Sequence, residues 1–284
     1  NFTFKNFAES RARRFKIVMD AHTFAGCETV SLTHNRQLLR RQLLERSVEA
    51  VAEAEILREK AWNDRRDQHG PFDIIGDVHG CGAELEALLD AMGYRSDADG
   101  LAHRHPSRQV IFVGDLIDRG PEQLRVLAVV KSMVDAGTAR MVLGNHEFNA
   151  LAYHTEHPLA PGRFLRPHDD PDDERSAKNE KQHSAFLKQV QGSERSTYLG
   201  WMWIQPLWLD LGGLRVVHAC WHQPSIDLLT AELGSSHLST VEQLRRASDP
   251  ADPLYTAIET ILKGPEISLT DHDQQAYLDK DKHK

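Results

Sequence analysis

Cysteine is scarce in this chain. Three residues, Cys27, Cys81 and Cys220, stand far apart in 284 positions, so they form neither a disulfide framework nor a zinc pattern and suit a reducing cytosol. Long apolar runs are missing as well: no stretch approaches the roughly 20 residues that cross a bilayer, and no signal peptide opens the sequence. Together these absences predict a cytoplasmic protein without a membrane partner. Positive charge is not in excess either. A net charge of -8 and a pI near 6.1 exclude a protein that coats nucleic acid by bulk electrostatics, and leave nucleic acid only as a substrate in a local groove. No Gly-x-x-x-x-Gly-Lys-Ser/Thr phosphate loop occurs, so any kinase built on one would have to lie outside this chain.

What is present suffices for a large core. With 40% hydrophobic residues, the chain is long enough for one sizeable domain plus an extension. Residues 1–70, rich in Arg, Glu and Ala, read as a helical extension or the remnant of an upstream domain. Phe15 to Met19 suggests a short strand. Leu39, Leu43, Val51, Ile56 and Leu57 recur at helical spacing between Asn35 and Ala61, with Thr33 or Asn35 as a cap. This helix is expected to cover the neighbouring domain, with docking of a partner protein as the alternative. From Gly70-Pro71 onward, apolar runs alternate with amphipathic patterns over Ala83–Met92 and Glu122–Ala136, each stopped by a glycine (Gly93, Gly137). That alternation predicts parallel strands joined by helices. Leu207–Leu211 and Leu214–Val217 flank Gly212-Gly213 and predict a hairpin. The expected fold is α/β, a two-sheet mixed β-sandwich flanked by helices, over 71–284. A long polar stretch at 159–176 reads as a lid, and the tail from Ser268 shows no core face. The chain begins at Asn1 rather than Met, which predicts a trimmed product.

Three blocks carry the chemistry: Gly76-Asp77-Val78-His79-Gly80, Gly114-Asp115-Leu116-Ile117-Asp118-Arg119-Gly120 and Gly144-Asn145-His146-Glu147. Each follows an apolar run (Phe72–Ile75, Val110–Val113, Met141–Leu143) and precedes a helical pattern, so each belongs at the carboxyl end of a strand, where open α/β sheets bind ligands. Hydrolysis of a phosphate ester needs an activated water and compensation of charge on the phosphoryl and leaving oxygens, and two divalent ions supply both. A bridging carboxylate with mixed oxygen and nitrogen donors suits manganese, iron, zinc or nickel better than calcium, with manganese preferred here. Asp77, His79, Asp115, Asn145 and a later histidine provide such a set. Glycines before each ligand let the backbone turn tightly.

In these blocks the chain resembles the calcineurin-like metallophosphoesterase superfamily. The resemblance implies that Asp77 and His79 ligate a first metal, that Asp115 bridges, and that Asn145 ligates the second metal and contacts phosphate. It further implies that His146 protonates the leaving oxygen, oriented by Asp118, and that Arg119 grips the phosphoryl group. These roles fit the chemistry of the side chains, since a carboxylate-poised histidine is a competent acid and arginine matches phosphate bidentately. The next element of that pattern is a histidine ending a later strand, and Leu214-Arg215-Val216-Val217-His218 supplies it, so His218 is a second-metal ligand. Nearby His222 reads as a structural or supporting residue, with substrate contact as the alternative. Glu147 reads as a helix-start or supporting residue rather than a ligand, and the aspartates and histidines of 154–173 as a solvated loop.

Phe148-Asn149-Ala150-Leu151-Ala152 and Leu262-Lys263-Gly264-Pro265-Glu266 are similar to a bacterial branch related to serine/threonine protein phosphatases and diadenosine tetraphosphatases. That implies a phosphoprotein or nucleotide substrate. Residues 61–77 resemble the junction entering the phosphatase module of bacterial polynucleotide kinase-phosphatases, which implies RNA end healing as an alternative, acting on a 2′,3′-cyclic phosphate or 3′-phosphate. The superfamily's last metal ligand, the histidine of a Gly-His pair, is missing: no Gly-His pair occurs. Truncation before that ligand is the favoured explanation. A non-catalytic metal-binding scaffold is the remaining alternative.

Overall fold

The computed structural model describes residues 70–265. The expected helix over 35–61 with its cap, the strand at 15–19, residues 61–69 of the junction, Glu266 and the tail from Ser268 lie outside the described residues. The element order is β1 (Phe72–Ile75), α1 (Gly82–Ala91), β2 (Arg95–Ser96), β3 (His103–Arg104), β4 (Gln109–Phe112), α2 (Gln123–Asp135), β5 (Ala139–Met141), α3 (Asn145–Tyr153), α4 (Glu174–Gln189), α5 (Gly192–Trp203), β6 (Trp208–Asp210), β7 (Arg215–Val217), α6 (Gln223–Leu233), α7 (Val241–Ala247) and α8 (Pro253–Lys263).

The first three apolar runs form one parallel sheet in the order β1-β4-β5. Ile75 lies opposite Phe112 and Phe112 opposite Met141, so the three strands end level and their following loops converge. Central strand β4 is buried on both faces, as a parallel sheet requires, and its alternation divides the core. Val110 and Phe112 join the main cluster with helix residues such as Leu89, Val126 and Val130. Ile111 points the other way and packs with Val142, Leu209, Leu211 and Val216. The antiparallel β6–β7 ribbon therefore covers the second face of the sheet, with Trp208 opposite Val217. This is the expected hairpin, its first strand one residue shorter at each end than the apolar run and its second one residue shorter at the turn. A further ribbon, β2–β3, pairs antiparallel and has no counterpart among the sequence expectations.

Helix α2 buries Val126, Leu127, Val129, Val130 and Met133, an apolar stripe at helical spacing, and ends where Gly137 takes φ 71, a left-handed angle that glycine adopts without penalty. The stretch read as a lid differs in extent. Irregular backbone runs over 154–173, and α4 begins at Glu174, where the Asp173 carboxylate accepts from the Arg175 amide at 2.9 Å and caps the helix. Among the described residues no helix is long and apolar enough to cross a membrane.

Candidate active site

The level strand ends bring the three blocks together. Between β4 and β5 the approach is so close that a Cβ on Gly114 would lie 2.1 Å from the Gly144 nitrogen, and one on Gly144 would lie 2.2 Å from Asp115 Oδ1. Only glycine at both positions permits this juxtaposition. Gly76 differs from the expectation, since a Cβ there would meet no protein atom within 4 Å.

The loops are locally strained. Among the described residues, the non-glycine residues with positive φ are His79 (46°), Asp115 (52°), Asp118 (70°) and Arg119 (66°), every one of them a predicted site residue. Such conformations cost on the order of 1–3 kcal/mol each and persist only where the surroundings enforce them. Two fully buried polar side chains do so here. The Glu147 carboxylate accepts from the amides of Asp115 (2.7 Å), Leu116 (2.8 Å) and Gly144 (3.0 Å). Gln123 Oε1 accepts from the Asp118 amide at 2.7 Å, while its Nε2 donates to the carbonyls of Asp118 (3.1 Å) and Gly120 (2.9 Å). Burial, together with the charge of Asp115, raises the Glu147 carboxyl above its ordinary range, and its bonds to the Leu116 and Asp115 amides offset part of that rise. Glu147 thus supports the Asp115 loop, as the sequence suggested, and Gln123 is a support the sequence reading missed.

Asp115 Oδ2 lies at the centre of three imidazoles, 3.6 Å from His218 Nε2, 3.7 Å from His79 Nε2 and 3.8 Å from His146 Nε2. Two of them are turned by the backbone: His79 Nδ1 donates to the Ile117 carbonyl at 2.8 Å and His218 Nδ1 to the Val113 carbonyl at 2.6 Å. Each bond fixes the tautomer that leaves Nε2 with a lone pair aimed inward, the usual second-sphere arrangement of a metal-ligating histidine. Burial lowers the His79 pKa, and the Ile117 bond and the Asp115 charge reverse only part of that, so the ring stays neutral at pH 7. His79 Nε2 is buried without a hydrogen-bond partner, and its 3.7 Å separation from Asp115 is too long for a hydrogen bond. A cation between them would satisfy both.

Donor atoms gather in two overlapping sets, His79–Asp115–His146 and Asp77–Asp115–His218. Asp115 belongs to both. Exposed Asp77 also stands 3.8 Å from His79 Nε2, so it reaches either side of Asp115. Asn145 is the first residue of α3, directly after Gly144. Arg119 is exposed at the mouth of the loop. His222 bonds the Ser225 hydroxyl at 2.8 Å, at the start of α6. The acidic loop contributes to neither donor set; Asp170 pairs with Arg163.

The predicted acid and its orienting carboxylate are in contact: His146 Nδ1 lies 2.6 Å from Asp118 Oδ2, and the His146 amide donates to Asp115 Oδ1 at 3.0 Å. Burial lowers the His146 pKa, but the Asp118 bond and the charges of Asp115 and Asp118 outweigh it, so the ring holds its proton above the ordinary value of 6.5. The other oxygen of Asp118 is taken by His183 Nδ1 at 2.8 Å. Burial raises the Asp118 carboxyl, and the bonds to His146 and His183 more than reverse it. His183 was missed by sequence reasoning. Its signal was present: Ser176, Asn179, His183 and Phe186 form the buried face of α4, a helical stripe carrying three polar residues, and buried polar groups need partners.

An α/β sheet carrying, on converging loops, a shared carboxylate, backbone-oriented imidazoles and a His–Asp pair defines a phosphoesterase-type metal site. Residues 70–254 match the family described as calcineurin-like phosphoesterase, and the chain belongs to that family. It is 34% identical over 148 residues to an asymmetrical bis(5′-nucleosyl)-tetraphosphatase, PrpE, of Oceanobacillus iheyensis, covering 52% of this chain and 54% of that protein. It is 43% identical over 81 residues to a symmetrical bis(5′-nucleosyl)-tetraphosphatase of Psychromonas ingrahamii, covering 28% of this chain and 25% of that protein. The chain therefore spans about half the length of the first of these relatives and less of the second. A crystal structure of a cold-active protein-tyrosine phosphatase from a psychrophilic Shewanella species is also similar, at 17% identity and a TM-score of 0.36, with 68% of this chain and 52% of that chain covered.

Proposed function

We propose that this chain is a metal-dependent nucleotide phosphatase that holds two divalent cations on either side of Asp115 and hydrolyses its substrate by attack of water in a single in-line displacement. Asp77 and His79 would hold one cation, and Asn145 and His218 the other. Bound there, the cations would lower the pKa of a water and compensate charge on the phosphoryl oxygens; manganese suits these donors, and iron, zinc and nickel are chemically acceptable. Arg119 would bind the phosphoryl group through its planar fork. His146 would donate the proton that the leaving oxygen requires. Asp118 stabilises the protonated ring, and His183 holds Asp118 in place.

One observation carries this reading: the His146–Asp118 pair stands against the carboxylate that both donor sets share. A metal-binding scaffold has no need of a general acid, and the raised pKa of His146 favours that role over a place in its donor set. The names of the two tetraphosphatases favour a nucleotide over a phosphoprotein, and the 154–173 loop is read as the lid that selects it. The test is a parallel assay of the manganese-supplemented chain on diadenosine tetraphosphate, a phosphopeptide, and RNA ends bearing 2′,3′-cyclic or 3′-phosphates. Turnover is expected to be fastest on the dinucleotide. Preference for RNA ends would transfer the site to end healing, and inactivity on all of them with metal bound would make it a scaffold.

A further inference from the structure

Arg166 stands in the loop between α3 and α4. Its amide donates to the Ala152 carbonyl at 3.0 Å, which pins the loop to the end of α3. Its guanidinium bonds two neutral side chains, Asn149 Oδ1 at 2.8 Å and Gln182 Oε1 at 2.9 Å. One partner lies on the helix that opens with the candidate site residues Asn145 and His146. Asn149 lies three and four residues beyond His146 and Asn145 on α3, hence on the same helix face, and the guanidinium is close enough to the site to feel the charge of Asp118, while Gln182 is an exposed partner on α4. No carboxylate among the described residues stands within ion-pair distance of Arg166. Glu259, the nearest in influence, is paired with Lys263.

A half-buried guanidinium that meets no carboxylate in direct contact among the described residues, and only the more distant charges of Glu259 and Asp118, is costly. Asn149 and Gln182 hold it in one place but do not neutralise it, and they occupy two of its five N–H donors. An arrangement of this kind, a fixed cation with donors to spare beside a phosphoryl site, is completed by an anion. We infer that Arg166 binds a second phosphate, the one linked through a phosphoanhydride to the phosphoryl group under attack, and so selects substrates with a polyphosphate chain. Arg119 and Arg166 would then grip successive phosphates. This inference rests on the phosphatase reading for the identity of the first phosphate, but Arg166 can be tested without turnover.

The experiment uses the whole chain, supplemented with manganese, as wild type, Arg166→Gln and Arg166→Lys. Binding of inorganic tripolyphosphate and of orthophosphate is followed by calorimetry, and diadenosine tetraphosphate hydrolysis is followed in parallel. Wild type is expected to bind tripolyphosphate at least 10-fold more tightly than orthophosphate, and Arg166→Gln to lose most of that preference and to raise KM for the dinucleotide by roughly 10-fold, the scale of one charge-assisted bond. Arg166→Lys keeps the charge without the fork and is expected to recover part of both; it also controls for folding. An equal preference for tripolyphosphate in wild type and Arg166→Gln overturns the inference, as does a wild type that binds the two anions alike. Equal, Arg166-dependent binding of a 3′-phosphorylated oligonucleotide overturns the polyphosphate assignment. If tripolyphosphate binding depends on Arg166 while no substrate turns over, the phosphatase reading fails and the anion site stands.

Discussion

His183 Nδ1 lies 2.8 Å from Asp118 Oδ1, so the carboxylate that meets His146 on one oxygen is held on the other by a second imidazole. An aspartate with one partner can rotate about its terminal bond. With both oxygens engaged, the plane of Asp118 is fixed, and with it the direction in which His146 presents Nε2. The arrangement joins α4 to the β4 loop, elements 65 residues apart in sequence.

Replacing His183 by Gln is therefore expected to slow turnover on the order of 10-fold, the lower end of what supporting partners of reactive imidazoles contribute. KM should change little, because His183 touches no substrate. Loss of one of the two bonds that hold the Asp118 carboxyl low lets it titrate at higher pH, so the acidic limb of the kcat profile should move upward. A His183→Gln protein with wild-type kcat and an unmoved pH profile would remove His183 from the mechanism.

Much of this site was legible because its residues are contiguous. Asp77, His79, Asp115, Asp118, Arg119, Asn145 and His146 fall in three short blocks after apolar runs, and a parallel sheet with level strand ends needs no further information to bring them together. His218 was legible for the same reason, as the end of a strand. His183, Gln123 and Arg166 were not. They lie in helices and an irregular loop, and their hydrogen-bond partners stand 3 to 65 residues away, where no local pattern identifies them. The β2–β3 ribbon escaped because two-residue strands have no detectable period. The lid was drawn on to residue 176 because Asp169, Asp170, Asp172 and Asp173 read as a solvated run, although Asp173 caps the helix that begins at Glu174.

Asp115 is the donor common to both sets, so Asp115→Asn should weaken both of the proposed cations at once. Activity is expected to fall by at least about 100-fold, since metal charge stabilisation contributes several kcal/mol. The fold should persist, because the backbone of residue 115 remains bonded through its amide to Glu147. Elemental analysis after gel filtration gives the metal content, and circular dichroism checks the fold. Full metal occupancy together with full activity in Asp115→Asn would exclude the bridging role.

Glu147 is predicted to matter for stability as well as for rate. Its carboxylate is the buried acceptor for the amides of Asp115, Leu116 and Gly144, and Glu147→Ala leaves all three donors without it. Each orphaned buried donor costs about 1–3 kcal/mol, so a loss of about 3 kcal/mol or more in a urea titration is expected, and the positive-φ loop should relax with loss of metal binding. Glu147→Gln retains one acceptor oxygen and should fall between. A Glu147→Ala midpoint equal to wild type would show that water replaces the carboxylate without cost.

His154 supplies a pH dependence outside the metal donors. It follows α3, packs against the His183 and Phe186 rings, and its Nε2 is buried without a partner. Burial, reinforced by the charges of His183, Arg195 and His168, pushes its pKa down to about 3 from the ordinary 6.5. Above pH 6.5 the ring is neutral in both folded and unfolded chains and contributes no pH dependence. Between pH 6.5 and 3 the unfolded chain takes up a proton that the folded chain refuses, so folding stability falls as pH falls through that window. His154→Phe removes the titrating group while keeping an aromatic body. Its stability between pH 6.5 and 4, measured by denaturant midpoints, should therefore decline less steeply than that of wild type. Parallel pH profiles for the two proteins would show that His154 is protonated in the folded chain at the ordinary pH for histidine, with its ring reaching water.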